Sequence, residues 1–284
     1  MATGVCVVGS LNLDTVFTVA ALPAPGETVL GSAPATVPGG KGGNQAVAAA
    51  RAGAQVCFVG AVGDDDAGAL LRRHLTDNGV DTAGLVTVPG PSGAAVITVD
   101  TAGQNTIVVV PGANRAVALD AGRDAIAGAQ VLLLQLEIPI ATAAAAARIA
   151  RTAGATVIAN ISPSGGDVTE LAGLIDVAVV NETEAAQFDH PVPHRVVTLG
   201  ANGARYTGAD GTVHVPAAVV DAIDTSGAGD VFAGVLAAEW PNGVAHALRA
   251  ACTAGALATL VPGAGDCAPD ATAINEAMEK SHIQ

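Results

Sequence analysis

Short runs of uninterrupted apolar residues, each followed by a helix-forming segment, recur along this chain. Val5–Gly9, Val56–Gly60, Val131–Gln135, Thr156–Ile161, Val177–Val180 and Val196–Leu199 read as strands. Asn44–Ala52, Asp66–Asn78 and Ile140–Ala153 read as helices, the first two stopped by Gly53 and Gly79. A strand that is apolar at every position needs cover on both faces, which a parallel sheet between two helical layers provides. Alanine, the best helix former, fills many of the intervening positions. The expected fold is therefore α/β, a Rossmann-like three-layer sandwich.

Two segments break the rhythm. Thr15–Thr36 and Gly93–Pro111 carry little helical signal and alternate apolar with small or polar residues. The second reads as a hairpin turning at Ala102–Gly103. Together they predict a small β-sheet outside the main one, serving as a lid or as a surface that pairs with another copy. The expected division is a core of residues 1–14, 37–92 and 112–284 with a β-lid of residues 15–36 and 93–111.

Composition narrows the function. Lys plus Arg number 12 against 26 Asp plus Glu, a net charge of −14, and aromatic residues make up 2%. Such a chain repels phosphate backbones and acidic lipid surfaces and has few rings for stacking bases, which excludes a nucleic-acid partner. No apolar stretch is long enough to span a bilayer, and no membrane partner is expected. Cys6, Cys57, Cys252 and Cys267 are scattered without a C-x-x-C pair, the usage of a cytoplasmic protein.

Four segments carry candidate chemistry. Asp224–Asp230 (DTSGAGD) runs into a clear helix, so Gly227 and Gly229 let the backbone turn tightly and present bare N–H groups with the helix dipole behind them. That is an anion hole, and Asp224 and Asp230 place two carboxylates around it, one suited to act as a base and the other to hold a cation. Gly263–Asp266 repeats the letters GAGD but follows a helical stretch, so it offers carbonyls to a metal and no anion hole. Pro38–Asn44 (PGGKGGN) has the wrong spacing for a Walker A loop, yet Lys41 and Asn44 among glycines at a helix start make a cradle for a polar ligand. Asn12 and Asp14, just beyond the first strand, share a face if extended and suit vicinal hydroxyls.

These motifs, with Gly60–Gly68, Asn181–Glu184 and Thr198–Gly203, occur in the order found in ribokinases of the PfkB carbohydrate-kinase family, and the similarity covers essentially the whole chain. The resemblance implies a ribokinase-like fold and ATP-dependent phosphorylation of D-ribose at its 5-hydroxyl. It implies that Asp230 is the catalytic base beside an anion hole of Gly227, Ala228 and Gly229. Asn12, Asp14, Gly40, Lys41, Gly42, Gly43, Asn44 and Glu137, with Asp230, would line the ribose pocket. Asn181, the segment Thr198, Leu199, Gly200, Ala201, Asn202 and Gly203, then Gly229 and Cys252, would meet ATP. Glu184 would organise Mg²⁺, which accompanies ATP. Asp224, Ser226, Ala258, Val261, Gly263 and Cys267 would form a site for activating K⁺. A homodimer through the β-lid is also implied.

The chain departs from that pattern in a shortened connection after Glu184, in Cys267 where a serine is common, and in Cys252 where a polar contact to adenine is common. Other readings are a fructokinase, deoxyribokinase or nucleoside kinase of the same family, or a catalytically silent sugar-binding regulator. A nicotinamide-dependent dehydrogenase is disfavoured, because Gly9 is followed by Ser-Leu-Asn and no G-x-G-x-x-G.

Overall fold

Each apolar run becomes a strand whose alternate residues enter two separate cores. In the computed structural model, which describes residues 2–281, the strands are β1 (Gly4–Val8), β2 (Asn12–Val19), β3 (Ala35–Gly39), β4 (Gln55–Gly63), β5 (Asp81–Val88), β6 (Gly93–Asp100), β7 (Asn105–Val110), β8 (Val131–Leu134), β9 (Thr156–Asn160), β10 (Val177–Asn181), β11 (His194–Thr198), β12 (Ala204–Gly208) and β13 (Gly211–Val215). The helices are α1 (Lys41–Arg51), α2 (Asp66–Asp77), α3 (Arg123–Gly128), α4 (Ile140–Thr152), α5 (Thr169–Ala172), α6 (Glu182–Ala185), α7 (Ala228–Glu239), α8 (Val244–Ala258) and α9 (Ala271–Ser281).

The main sheet runs β13-β12-β11-β10-β9-β8-β1-β4-β5. It is parallel from β11 to β5, and β12 and β13 extend it antiparallel. Val5 and Val7 of β1, with Leu133 and Ile158, pack under α1, α7 and α8. Cys6 and Val8, with Leu132 and Leu134, pack on the opposite face against the Ala143–Ala147 stretch of α4. The three-layer expectation holds, and both cores are built largely from Val, Leu, Ile and Ala.

The small sheet is β3-β2-β6-β7, with β2 parallel to β6 and the other pairs antiparallel. The hairpin turns where expected: Gly103 takes φ +79°, and Asp100 Oδ1 accepts from the N–H groups of Ala102 and Gln104. The boundaries differ from the expected 15–36. Asn12 already pairs with Gly39 and Gly93, so Asn12 and Asp14 lie inside the small sheet. Asn12 and Asp14, expected within the core segment 1–14, belong to the same strand as Val16. The fourth strand likewise continues past Gly60 to Gly63, and β5, β12 and β13 were not anticipated.

Candidate active site

The carboxyl ends of adjacent parallel strands line up the functional groups, as open α/β sheets do. Across the edge from β11 to β1 come Thr198, Asn181, Asn160, the Gln135–Glu137 segment, and Ser10 with Asn12. The N-termini of α1 and α7 close over this row.

Glycines let the start of α1 lie against the loop after β1. Gly40 takes φ +86°, and a Cβ there would fall 2.7 Å from Asn12 N. At Gly42 and Gly43 a Cβ would meet Ser10 N and Leu11 Cδ2, each at 2.6 Å. Gly42 N donates to Ser10 Oγ at 3.3 Å and Gly43 N to Ser10 O at 2.9 Å, so these two glycines, expected as sugar contacts, pack against the Ser10–Leu11 segment. The approach lets Lys41 N donate to Glu137 Oε2 at 3.0 Å, and the buried Ser10 hydroxyl donates to the same oxygen at 2.5 Å. Asn12 is held from behind, its Oδ1 accepting from Asn114 Nδ2 at 2.9 Å, while Asn114 also bonds Leu11 N and O. Ser10 and Asn114 escaped the sequence reading. Both are small polar residues beside apolar runs, and only their burial reveals them.

Asp14 is buried, and its Oδ1 has no hydrogen-bond partner in the protein. Burial first, then Glu137 and Asp230, push its carboxyl up to about 7. An orphaned buried acceptor in a polar cradle calls for a ligand with hydroxyl donors. The half-buried Lys41 lies in the same field. Asp230 foremost holds its ammonium above the ordinary lysine value against the opposing effect of burial, with Glu137 and Glu184 adding to the rise.

Helix α7 opens at Gly227, which is left-handed at φ +76°, and a Cβ there would meet Ala264 Cα at 2.8 Å. Asp230 therefore sits in the first turn, buried, with Asn44 Nδ2 donating to its Oδ2 at 3.2 Å and Gln45 Nε2 to its Oδ1 at 2.9 Å. The amides of Gly229 and Asp230 have no acceptor within the helix, so the positive end of the helix faces the space beside Asp230. The Ala228 amide, expected in the anion hole, already donates to Thr225 O at 3.3 Å, while Asp230, Asn44 and Lys41 lie together beside the helix start.

On the β10–β11 side a cavity of about 510 Å³ is lined by Asn181, Thr198, Gly200, Ala201, Gly203, Gly229 and Cys252 among others. Of the residues expected there, Leu199 packs against the core on the α4 face of the sheet, and Asn202 turns its carbonyl to His214 Nε2. Leu199 and Asn202 are three residues apart, the repeat of the 3₁₀ turn at Gly200–Asn202, and so leave the cavity on the same side. Cys252 is buried, pushed up to about 12 by burial, and its thiol donates to Val215 O at 3.7 Å. Glu184 is buried in a reciprocal cap with Asn181, each side chain accepting from the other's backbone N–H at 2.8 Å.

Asp224 accepts from Ser226 N at 2.9 Å and Gly263 N at 2.8 Å, which hold its carboxyl below the usual range against partial burial. Gly263 thus meets Asp224 through its N–H. The carbonyl of Ala258 already accepts from Val261 N at 3.2 Å. The Cys267 thiol points at Ala264 O at 3.4 Å and Ser226 O at 3.8 Å, and burial pushes it up to about 11. A neutral thiol does not suit a hard cation, whereas the Asp224 carboxylate and the loop carbonyls do.

Residues 2–271 match the model of the pfkB family of carbohydrate kinases. The chain belongs to that family. Among its relatives is a Bacillus subtilis ribokinase, 36% identical over 96% of this chain and 99% of that protein. A bifunctional ribokinase/ribose-5-phosphate isomerase A of Fructilactobacillus sanfranciscensis is 32% identical over 99% of this chain, which spans 58% of that longer protein. The structure of Arabidopsis thaliana ribokinase complexed with ribose and ATP superposes with a TM-score of 0.90 at 30% identity, covering 98% of this chain and 99% of that one. The motifs shared with PfkB kinases lie at the carboxyl edge of the sheet and at the helix starts above it.

Proposed function

We propose that this PfkB kinase phosphorylates D-ribose at its 5-hydroxyl with ATP. The observation that carries the reading is the position of Asp230. Its carboxylate lies between the nucleotide-sized cavity bounded by Gly229 and the polar cradle of Asn44, Lys41 and Asp14. Phosphoryl transfer asks chiefly for positioning and charge neutralisation. In this reading Asp14 and Asn12 accept and orient the sugar's vicinal hydroxyls, and Glu137 fixes the start of α1. Asp230 takes the proton of the attacking hydroxyl, and the amides at the start of α7 meet the charge that spreads over the transferred group.

The ionic groups follow from the donor sets. Among the described residues no cluster of three or more His, Cys, Asp or Glu forms an all-protein metal cage. Mg²⁺ keeps several waters and rests largely on nucleotide phosphates, so it asks for no dedicated protein cage. Glu184, buried and oriented by its cap, is the residue proposed to order that shell. Bound there, Mg²⁺ supplies neutralisation of the phosphate charge. Asp224 and the carbonyls around Ser226 and Gly263 are proposed to hold K⁺.

The exposed edge strand β7, with Ile107, Val108 and Val110, is proposed as the seam of a homodimer. No described helix is long and apolar enough to cross a membrane, and a cytoplasmic location is proposed from the four free cysteines.

Coupled ADP-release assays with D-ribose, deoxyribose, fructose and adenosine test the reading. D-Ribose is expected to give the highest kcat/KM, and Asp230→Asn is expected to lower kcat by about 10²–10⁴. Failure of ribose as a substrate, or an Asp230→Asn enzyme within tenfold of the parent, would overturn it.

A further inference from the structure

Behind Asp230 lies a chain of buried amides that no motif announced. Gln45 and Gln135 are wholly buried and Asn160 nearly so. Gln45 Nε2 donates to Asp230 Oδ1 at 2.9 Å and to Asn160 Oδ1 at 3.2 Å, while Gln45 Oε1 accepts from Gln135 Nε2 at 3.0 Å. Asn160 Nδ2 in turn donates to Val179 O at 3.3 Å. Both N–H groups of Gln45 are spent, and reversing its amide would set its oxygen against the oxygens of Asp230 and Asn160. The network therefore admits one orientation of Gln45, and none of its amides titrates.

The two oxygens of Asp230 are consequently unlike. Oδ1 accepts from Gln45, the end of the buried amide chain, whereas Oδ2 accepts from Asn44, which belongs to the proposed sugar cradle. We propose that Gln45 is a positioning residue that pins Oδ1, fixes the carboxylate plane, and leaves Oδ2 as the oxygen that receives the proton. In that step the O–H bond of the sugar hydroxyl breaks and its proton goes to Oδ2. The hydroxyl oxygen bonds to the γ-phosphorus of ATP, and the bond to the leaving oxygen breaks with its electron pair kept by ADP.

Gly234 is the independent sign of this arrangement. It lies one helical turn after Asp230, and a Cβ there would fall 2.4 Å from Gln45 O and 2.8 Å from Ala48 Cβ. Only a residue without a side chain lets α7 approach α1 closely enough for Gln45 to reach the carboxylate.

The inference rests on the proposed kinase reading, so parent enzyme, Asp230→Asn and Gln45→Met are assayed together with ribose and ATP. Methionine keeps the length of the side chain and removes its donors. Gln45→Met is expected to lower kcat by about 10- to 100-fold with both KM values within about threefold, because a carboxylate held only through Asn44 on Oδ2 swings about that contact and misplaces the base. If the parent does not phosphorylate ribose, the kinase reading fails and takes the inference with it. If the parent is active and Asp230→Asn inactive while Gln45→Met keeps kcat within threefold, or loses only KM for ribose, the inference alone fails. Should Gln45→Met not fold, Gln135→Met decides. Removing the amide that orients Gln45 is expected to lower kcat several-fold at unchanged KM, and an unchanged kcat overturns the proposal.

Discussion

A Cβ on Gly39 would lie 2.1 Å from Asp14 Oδ2 and 2.5 Å from Asp14 Cγ. The two residues sit on paired strands of the small sheet, and Gly39 leaves the space that the Asp14 carboxylate occupies. Gly39→Ala must therefore move the carboxylate, since the backbone of β3 is held by its ladder to β2. Overpacking of this kind costs about 1–3 kcal/mol. Calorimetry is expected to show ribose binding weakened at least tenfold with ATP binding unchanged. Equal ribose affinity in the variant would remove Asp14 from the pocket.

The raised Asp14 carboxyl makes a paired prediction about pH. Its value of about 7 in the fold lies above the ordinary aspartate value of 3.8, so between those limits the folded protein holds a proton that the unfolded chain has released. Stability contributed at this position is therefore lost as pH rises from about 4 to about 7, and levels off beyond. Asp14→Asn, which cannot ionise, is expected to raise Tm at pH 8 and to leave it nearly unchanged at pH 4. Ribose binding runs the other way. The ionised carboxylate accepts hydroxyl donors, so parent affinity is expected to fall by up to about tenfold per unit below pH 7. Asp14→Asn binds weakly at every pH in this account. A parent affinity independent of pH between 5 and 8 contradicts it.

The same residues show what a sequence displays and what it hides. The parallel sheet was legible because Val131–Leu134 and Val177–Val180 are apolar at each position, a pattern that two-sided burial requires. The anion hole was legible because Gly227 and Gly229 flank the start of a helix. Gln45 was not, because a glutamine in an alanine-rich helix reads as a solvated residue. Its meaning arises only when α7 and β8, far along the chain, close around it. The β12–β13 hairpin was hidden for the opposite reason: mostly exposed small and polar residues give it no apolar run to read.

Gly227 and Gly229 are expected to respond differently to alanine. At Gly227 the backbone is left-handed and a Cβ collides with Ala264, so Gly227→Ala strains the loop and costs stability. At Gly229 a Cβ meets no atom within 4 Å, so Gly229→Ala is expected to keep Tm within about two degrees of the parent. Its methyl group would instead occupy the space in front of the amides, where the transferred phosphoryl group belongs in the proposed reaction. Steady-state kinetics of Gly229→Ala are expected to show kcat down by about 10²-fold, as when an oxyanion donor is lost. Thermal melts beside the kinetics separate the two glycines. A Gly229→Ala enzyme of normal turnover would show that the open space is not where the phosphoryl group passes.

Position 267 tests the cation site. The Cys267 thiol, pushed up to about 11 mainly by its burial, stays protonated at neutral pH and points at the carbonyls of Ala264 and Ser226. Those carbonyls belong to the loop proposed to hold K⁺, so the thiol occupies acceptors without offering a good oxygen ligand. Serine at this position supplies a hydroxyl that both donates and accepts. Cys267→Ser is therefore expected to lower the KCl concentration that gives half-maximal activity, with kcat at saturating K⁺ little altered, because Asp224 and the loop carbonyls are common to both proteins. Titrating KCl at constant ionic strength, with a bulky organic cation as the balance, reads the difference directly. Superimposable curves would mean that the side chain at 267 does not reach the ion. An activity independent of K⁺ in both proteins would mean that the Asp224 carboxylate, held by Ser226 N and Gly263 N, only ties the loop together.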